Sequence, residues 1–148
     1  MSLKVKIKKL HKDAVIPKYA KLGDAGMDLT AVDIKFSSPP NDKFAPIAQV
    51  DSGISVEIPE GFAGLVFPRS SIYKNNTILS NSVGVIDSGY RGSIKANFFA
   101  DEETFGYRVG DRFAQLIILS YPQIEFEEVV ELSETERGEG GFGSTDLE

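Results

Sequence analysis

The sequence predicts an all-β protein, either a barrel or a sandwich, and two observations support this. Many short apolar or alternating segments follow one another, and turn-forming residues separate them at regular spacing. No segment keeps the apolar period of a helix over three turns, although residues 69–76 are a candidate for one short helix. The 148 residues are expected to form one domain with a sizeable core.

The predicted strands fall into two groups. Apolar residues alternate with polar ones, as in a half-buried strand, in residues 4–10, 50–58 and 124–132. Compact apolar segments occupy residues 25–32, 62–67, 94–100 and 113–121. Residues 36–48 are a predicted loop because prolines and serines are concentrated there.

Composition and charge exclude several classes of function. The net charge of −6 argues against a general nucleic-acid binder, but a local basic pocket could still hold a small phosphorylated ligand. The chain has no cysteine and one histidine, His11, which excludes disulfides, thiolate metal sites and His-rich metal clusters. His11 itself is interpreted as a solvated loop residue. Because no apolar run could span a bilayer and no signal-peptide core is visible, we expect a cytoplasmic protein with no membrane partner.

Residues 84–92 read Gly-Val-Ile-Asp-Ser-Gly-Tyr-Arg-Gly, and together with the apolar segment after them they predict a β-hairpin. Such a hairpin would hold the Asp87 carboxylate at the floor of a pocket, with the Tyr90 ring beside it. The alternative is a surface turn in which the Asp side chain caps the backbone, as Asp does in most turns.

Two arginine-containing segments are candidates for binding a phosphorylated ligand. Residues 68–71 (Pro-Arg-Ser-Ser) offer a guanidinium and two hydroxyls directly after an apolar segment, which suits a phosphate. The alternative is a serine helix cap beside a solvated arginine. Further along, Arg112 and Gln115 stand at the start of a strand, where the alternative is an ion pair of Arg112 with Asp111 or another acid. Asp28 is interpreted as a structural acid that pairs with an arginine.

Residues 133–148 are a predicted flexible arm, separate from a β-rich domain of residues 1–132. The arm holds four glycines with Arg137 and Phe142 among them, and too few apolar residues to fold alone. A cation and a ring on such a backbone favour closure over a ligand, and successive backbone N–H groups can bind an anion. The alternative is a fraying linker. The arm is not a P-loop, because no lysine follows its last glycine.

In this order, five segments resemble the five motifs of the trimeric deoxyuridine triphosphate nucleotidohydrolases (dUTPases): residues 25–31, 68–71, 84–92, 110–117 and 137–145. The third and fifth are the specific ones. The resemblance implies a distorted jelly-roll β-barrel protomer with at most one short helix, assembled as a homotrimer. Each active site would be shared, with the hairpin pocket from one subunit, the phosphate motifs from a neighbour and the arm from the third.

The resemblance also implies an activity, the hydrolysis of dUTP to dUMP and pyrophosphate, which keeps uracil out of DNA and supplies dUMP for thymidylate synthesis. Asp87 would be the general base for the water that attacks the α-phosphorus. Tyr90 would pack under the deoxyribose and leave no room for a 2′-hydroxyl. The residues that would read uracil or line its pocket are Asn81, Gly84, Val85, Ile86 and Lys95. The residues that would hold the phosphates are Arg69, Ser70, Ser71 and Gln115. The residues of the closing arm would be Arg137, Phe142, Gly143, Ser144 and Thr145, with Phe142 stacked on uracil.

The implied cofactor is Mg²⁺, held by triphosphate oxygens and waters with no direct protein ligand, and with Asp28 as a candidate for contact with those waters. Three residues depart from the motifs: Ser71, Gly89 and Asp146 stand where Gly, Asp and Gly are usual. Asp146 adds a negative charge beside the expected grip on the γ-phosphate.

Two other functions remain open at this point. A dCTP deaminase resembles dUTPases in fold and in the Gly-x-Ile-Asp segment, but it needs a Glu where this chain has Asn97. A non-catalytic nucleotide-binding regulator is the second alternative, and the intact Asp87 argues against it.

Overall fold

The computed structural model describes residues 2–38 and 46–144. Within these residues the chain forms ten strands and a short 3-10 helix, Ile72–Asn75. In chain order the strands are β1 (Lys6–Lys9), β2 (Met27–Thr30), β3 (Asp33–Ser37), β4 (Ile47–Asp51), β5 (Ile54–Glu57), β6 (Phe62–Pro68), β7 (Ile78–Leu79), β8 (Gly84–Ile86), β9 (Lys95–Phe99) and β10 (Arg112–Ser120). The all-β prediction is confirmed, and the helix lies within the segment predicted for it. The predicted loop at 36–48 falls partly outside the described residues.

The protomer is a jelly roll built from two four-stranded antiparallel sheets and a two-stranded ribbon. The first sheet has the order β2-β10-β6-β8, the second the order β3-β4-β9-β7, and β1 pairs with β5 in the ribbon. Strands β1 and β5 are both short, and all four residues of β1 are exposed. Within the described residues, no helix is long and apolar enough to cross a membrane.

One continuous cluster of buried side chains joins the two four-stranded sheets. Its members include Leu29, Val66 and Leu116 from the first sheet and Val50 and Ala96 from the second. Phe98 on β9 is fully buried, and its ring centroid lies 5.6 Å from that of Phe105 and 6.4 Å from that of Phe113. This aromatic group fastens the loop before β10 to the second sheet.

The prediction of a hairpin at residues 84–99 is wrong, because its two strands, β8 and β9, do not pair with each other. β8 pairs with β6 in the first sheet, whereas β9 pairs with β4 and β7 in the second. Residues 91–95, here called the return segment, cross from one sheet to the other. The crossing is held at β5, where the Ile94 N–H donates to the Ile54 carbonyl at 2.9 Å and the Ser55 hydroxyl donates to the Arg91 carbonyl at 2.6 Å.

The strand predicted at residues 124–132 is also wrong, because the chain has no strand after β10 in the part that the structure describes. Its apolar side chains are left in solvent: Ile124 is 71% exposed, Phe126 93% and Val130 100%. The alternating pattern therefore marks a segment whose apolar side chains no part of residues 2–38 or 46–144 covers.

Gly53, between β4 and β5, provides a test of the packing at this corner. Its φ is +64°, and a Cβ atom there would lie 2.8 Å from both His11 Cβ and Val32 Cγ2. Gly61 is a matched control, since its φ is +81° but nothing lies within 4 Å of a Cβ at that position. Both Gly→Ala changes carry the left-handed strain of about 1–2 kcal/mol, and Gly53→Ala should cost about 1–3 kcal/mol more from the collision. Urea unfolding at one fixed protein concentration measures the difference, and equal losses in the two variants would refute it.

Candidate active site

Asp87 follows β8 in an exposed turn, in which the Tyr90 N–H donates to the Asp87 carbonyl at 3.1 Å. Within residues 2–38 and 46–144, the Asp87 carboxylate has no hydrogen-bond or ion-pair partner. It therefore does not cap the backbone, which was the alternative interpretation of this motif. The geometry is instead that of an accessible carboxylate on a fixed turn.

The Tyr90 ring is held beside this turn by two contacts. Its hydroxyl donates to the Ser93 carbonyl at 2.9 Å, and the ring lies against Gly92. A Cβ atom at position 92 would lie 2.6 Å from Tyr90 Cζ, so only glycine lets the ring approach this closely. Because the ring is 43% exposed, one part of it is free to contact a ligand.

β8 presents its backbone at the edge of a sheet. It is the last strand in the order β2-β10-β6-β8, so the N–H and C=O groups that alternate residues of Gly84–Ile86 direct to its outer edge have no strand partner in the described residues. The Asn81 side chain lies beside this strand, with Nδ2 3.6 Å from the position of a Cβ on Gly84. The chain turns sharply between them at Ser82, which has a φ of +62°. An edge of this kind can hydrogen-bond a planar polar ring.

Lys95, predicted for the same pocket, lies on β9 in the second sheet. Its Nζ is 3.5 Å from Asp51 Oδ2 on β4, which is its register partner. Asn97 two residues further accepts a hydrogen bond from Gln49 Nε2 at 3.1 Å.

The residues expected to bind phosphate lie close together because β10 is placed between β2 and β6. Its residue Gln115 is opposite Asp28 on one side and Phe67 on the other. Arg69 Nε donates to Asp28 Oδ1 at 2.9 Å, and Arg112 Nη1 donates to Asp28 Oδ2 at 3.2 Å. The interpretation of Asp28 as an acid paired with arginine thus agrees with the geometry.

The other polar groups of this cluster are also tied to the strand ends. Gln115 Nε2 donates to the Pro68 carbonyl at 3.1 Å, and Arg69 Nη1 is 3.5 Å from Ser71 Oγ. Ser71 precedes the 3-10 helix without a capping hydrogen bond from its side chain, and Ser70 is exposed. The alternative of a serine cap therefore fails, and both hydroxyls remain available to a ligand.

The electrostatics of this cluster favour an anion. Two guanidinium groups share the single Asp28 carboxylate, whose side chain is 27% exposed, so one positive charge is left in excess. Asp111, the other acid considered as a partner of Arg112, instead accepts from the Arg108 N–H at 2.8 Å. Burial raises the pKa of Tyr107, and the positive charge of Arg69 opposes this shift.

The arm folds on itself and not onto either cluster. Arg137 Nε donates to the Gly140 carbonyl at 3.0 Å, and the Ser144 N–H donates to the Gly141 carbonyl at 3.1 Å. Phe142 is fully exposed with a φ of +53°. Thr145 lies outside the described residues.

The structure does not bring Asp87 and Arg69 together. Ile86 pairs with Gly64 near the start of β6, whereas Arg69 follows the last residue of that strand. Asp87 is therefore near position 63 of β6, and six residues of strand separate it from Arg69 by about 20 Å. One chain supplies an exposed carboxylate beside the Tyr90 ring and, apart from it, an anion-binding cluster of Arg69, Arg112 and Asp28.

Two residues that hold the Tyr90 ring in place, Asp51 and Ser93, were not predicted from the sequence. The Ser93 hydroxyl donates to Asp51 Oδ1, and the Ser93 carbonyl is the acceptor for Tyr90. The residues are far apart in sequence, and only the β4–β9 register connects them. No local sequence pattern predicts such a contact.

Comparison with known proteins gives a consistent result. Residues 12–146 match the family model described as dUTPase. The deoxyuridine 5′-triphosphate nucleotidohydrolase of Dictyoglomus turgidum is 42% identical, over 98% of this chain and 99% of that protein. The protein of the same name from Escherichia phage T5 is 43% identical, over 95% of this chain and 97% of that protein. Among solved structures, the dUTPase of Staphylococcus bacteriophage 80alpha with dUPNHPP has a TM-score of 0.78 at 28% identity, over 97% of this chain and 98% of that one. Since these matches extend over nearly the whole sequence, the chain belongs to the dUTPase family.

Proposed function

We propose that this chain hydrolyses dUTP to dUMP and pyrophosphate. The observation that carries the proposal is the accessible Asp87 carboxylate beside an anchored Tyr90 ring, within a chain that the dUTPase family matches over residues 12–146. A nucleoside triphosphate requires three binding parts. The edge strand β8 with Asn81 suits a base, the Tyr90 ring suits a sugar, and the cluster around Arg69 suits phosphates. We also propose a cytoplasmic location, which is consistent with an enzyme of nucleotide metabolism.

In the proposed reaction, the Asp87 carboxylate accepts a proton from a water molecule as its oxygen attacks the α-phosphorus. A bond forms between the water oxygen and this phosphorus, and the bond from the α-phosphorus to the bridging oxygen breaks. Pyrophosphate leaves with the electron pair. A carboxylate without a competing partner suits this role, because it can orient the water as well as take its proton.

Recognition of the nucleoside is assigned to the pocket residues. The open edge of β8 and the Asn81 amide bind the polar edge of uracil, and a narrow pocket wall excludes the methyl group of thymine. The Tyr90 ring packs under the deoxyribose. Lys95 belongs to the same pocket wall in this proposal, with Asp51 fixing its ammonium.

Phosphate binding is assigned to Arg69, Ser70, Ser71 and Gln115. Their hydroxyl, amide and guanidinium groups lie around a cluster with an excess positive charge, which suits a triphosphate. The arm residues Arg137, Phe142, Gly143, Ser144 and Thr145 close over the bound nucleotide, with Phe142 on uracil and the rest on the γ-phosphate.

We assign Mg²⁺ as the cofactor, held by triphosphate oxygens and waters. Among the described residues, no group of three or more His, Asp or Glu side chains could hold a metal ion. Asp28 still has lone pairs beyond its two arginine contacts, and these can accept hydrogen bonds from metal-bound waters. The ion would neutralise phosphate charge and orient the triphosphate.

We infer a homotrimer with shared sites. A pocket and a phosphate cluster about 20 Å apart cannot act on one α-phosphorus, so a second chain must supply the cluster. The exposed apolar side chains at 124–132, and an apolar groove of about 390 Å³ lined by Val5, Ile16 and Tyr19, are surface for such contacts.

The test of the activity is incubation with each deoxynucleoside triphosphate and Mg²⁺. We expect dUMP and pyrophosphate from dUTP, and little product from the others. Ammonia released from dCTP would instead show a deaminase, although the Asn97 amide cannot act as its base. No turnover of any nucleotide would refute the enzymatic function and favour a regulator.

Asp87→Asn should lower turnover of dUTP by about 10²–10⁴-fold, because the amide cannot accept the proton. The affinity for dUTP, measured by calorimetry, should change little. The matched control is Asp33→Asn, which alters a 49% exposed carboxylate paired only with Lys35 among the described residues. Equal losses in the two variants would contradict the role of Asp87.

Shared sites predict that two inactive variants complement each other. Arg69→Ala and Asp87→Asn chains, co-expressed with different tags, should form mixed trimers with one intact site each. Random mixing then gives about a quarter of wild-type activity, and light scattering should give three times the 16.2 kDa of one chain. Sites contained in single chains would give no recovered activity.

A further inference from the structure

The corner between β4 and β5, residues 51–55, holds the return segment in place. The return segment begins with the last two residues of the 84–92 motif, Arg91 and Gly92. Besides the two bonds from β5 described above, the Ser52 hydroxyl donates to the Ile94 carbonyl at 2.6 Å, and the Ser52 N–H donates to the same carbonyl at 3.1 Å. Ser52 is only 2% exposed. The return segment is therefore held in a fixed position on this corner. In the proposed function the corner has only one other role, which is the ion pair of Asp51 with Lys95.

Asp51 is the one charged residue of the corner. Its Oδ1 accepts from the Gly53 N–H at 2.7 Å and from the Ser93 hydroxyl, while its Oδ2 lies 3.5 Å from Lys95 Nζ. The side chain is 24% exposed. A carboxylate with donors on both oxygens, from three different residues, is held in one orientation.

Ser93 connects this carboxylate to the ring. Its hydroxyl is bound by Asp51, and its carbonyl accepts the Tyr90 hydroxyl at 2.9 Å. The ring is also supported by Gly92, directly before Ser93. Both supports of the Tyr90 ring therefore belong to the segment whose position Asp51 fixes.

We propose that Asp51 is a positioning residue that sets the Tyr90 ring and thereby the selectivity for deoxyribose over ribose. This rests on the proposed function, in which the ring packs under the sugar. Exclusion of a 2′-hydroxyl is steric, and a shift of the ring by less than 1 Å would open room for one oxygen. A change at Asp51 acts on the ring through Ser93 and also releases the Lys95 ammonium, whereas Ser93→Ala leaves the Asp51–Lys95 pair in place and tests the path to the ring alone.

The measurement is the ratio of kcat/KM for dUTP to kcat/KM for UTP. Asp51→Ala should lower this ratio about tenfold, chiefly through faster turnover of UTP, as expected for the loss of a hydrogen bond to a charged group. Ser93→Ala removes only the hydroxyl and leaves the carbonyl, so it should give a similar loss with less effect on folding. Asp33→Ala is the comparison variant, since Asp33 lies opposite Asp51 on β3 and lines the same cavity, but among the described residues its carboxylate pairs with Lys35 and has no hydrogen bond to Ser93 or Tyr90.

A double-mutant cycle distinguishes positioning from general destabilisation. In a Tyr90→Phe background, Asp51→Ala should change the ratio by clearly less than tenfold, because the bond from the ring to Ser93 is already absent and only the contact with Gly92 remains. An unchanged ratio in folded Asp51→Ala and Ser93→Ala, or a full tenfold loss in the Tyr90→Phe background, would overturn the proposal. The affinity ratio of dUMP to UMP by calorimetry gives the same test without turnover. If wild-type chain bound dUMP selectively but did not hydrolyse dUTP, the catalytic function would fail while the role of Asp51 stood.

Discussion

Strand β10, paired along both of its edges, is the constraint on which the anion-binding cluster of Asp28, Arg69 and Arg112 depends. It is nine residues long and lies between β2 and β6, so residues 28, 69 and 112 meet although 84 positions separate the first from the last. The Asp28 carboxylate between two guanidiniums is then obligatory. Without it, the like charges of the half-buried Arg69 and the exposed Arg112 would repel each other. The acid thus keeps two arginines close together, and one positive charge remains for a ligand.

The same sheet also keeps the two halves of the site apart. β6 separates β8 from β10, and its antiparallel pairing with β8 sends Asp87 to the end opposite Arg69. A rigid strand cannot shorten this separation. Apolar side chains at 124–132 stay exposed, because no other described part of the chain covers them. Both features support the proposed homotrimer, in which a second chain supplies the missing phosphate-binding residues and the missing apolar contacts.

The strands and the local motifs could be predicted from the sequence, because alternation, turn residues and the Gly-x-Ile-Asp segment are local signals. The pairing of β8 and β9 could not be predicted, because residues 91–95 bond to β5 through Ser55 and Ile54, which are distant in sequence. The alternation at 124–132 was local evidence for a strand, but a strand also needs an edge to pair with. Likewise the acid partner of Arg112 is Asp28 and not the adjacent Asp111, since sheet register decides it.

The arm adds an energetic argument to the proposed shared site. Its described bonds are short-range turns, Thr135 to Gly138, Arg137 to Gly140 and Gly141 to Ser144. Fixing such a glycine-rich backbone costs roughly 1–2 kcal/mol per residue. In the proposed function, contacts with the γ-phosphate and the base would offset that cost, so a ligand with both groups would hold the arm closed. Once pyrophosphate is cleaved from the nucleotide, neither product alone offers the full set of contacts. We therefore expect the arm to open on hydrolysis, because the remaining contacts no longer offset the entropy lost on ordering its backbone.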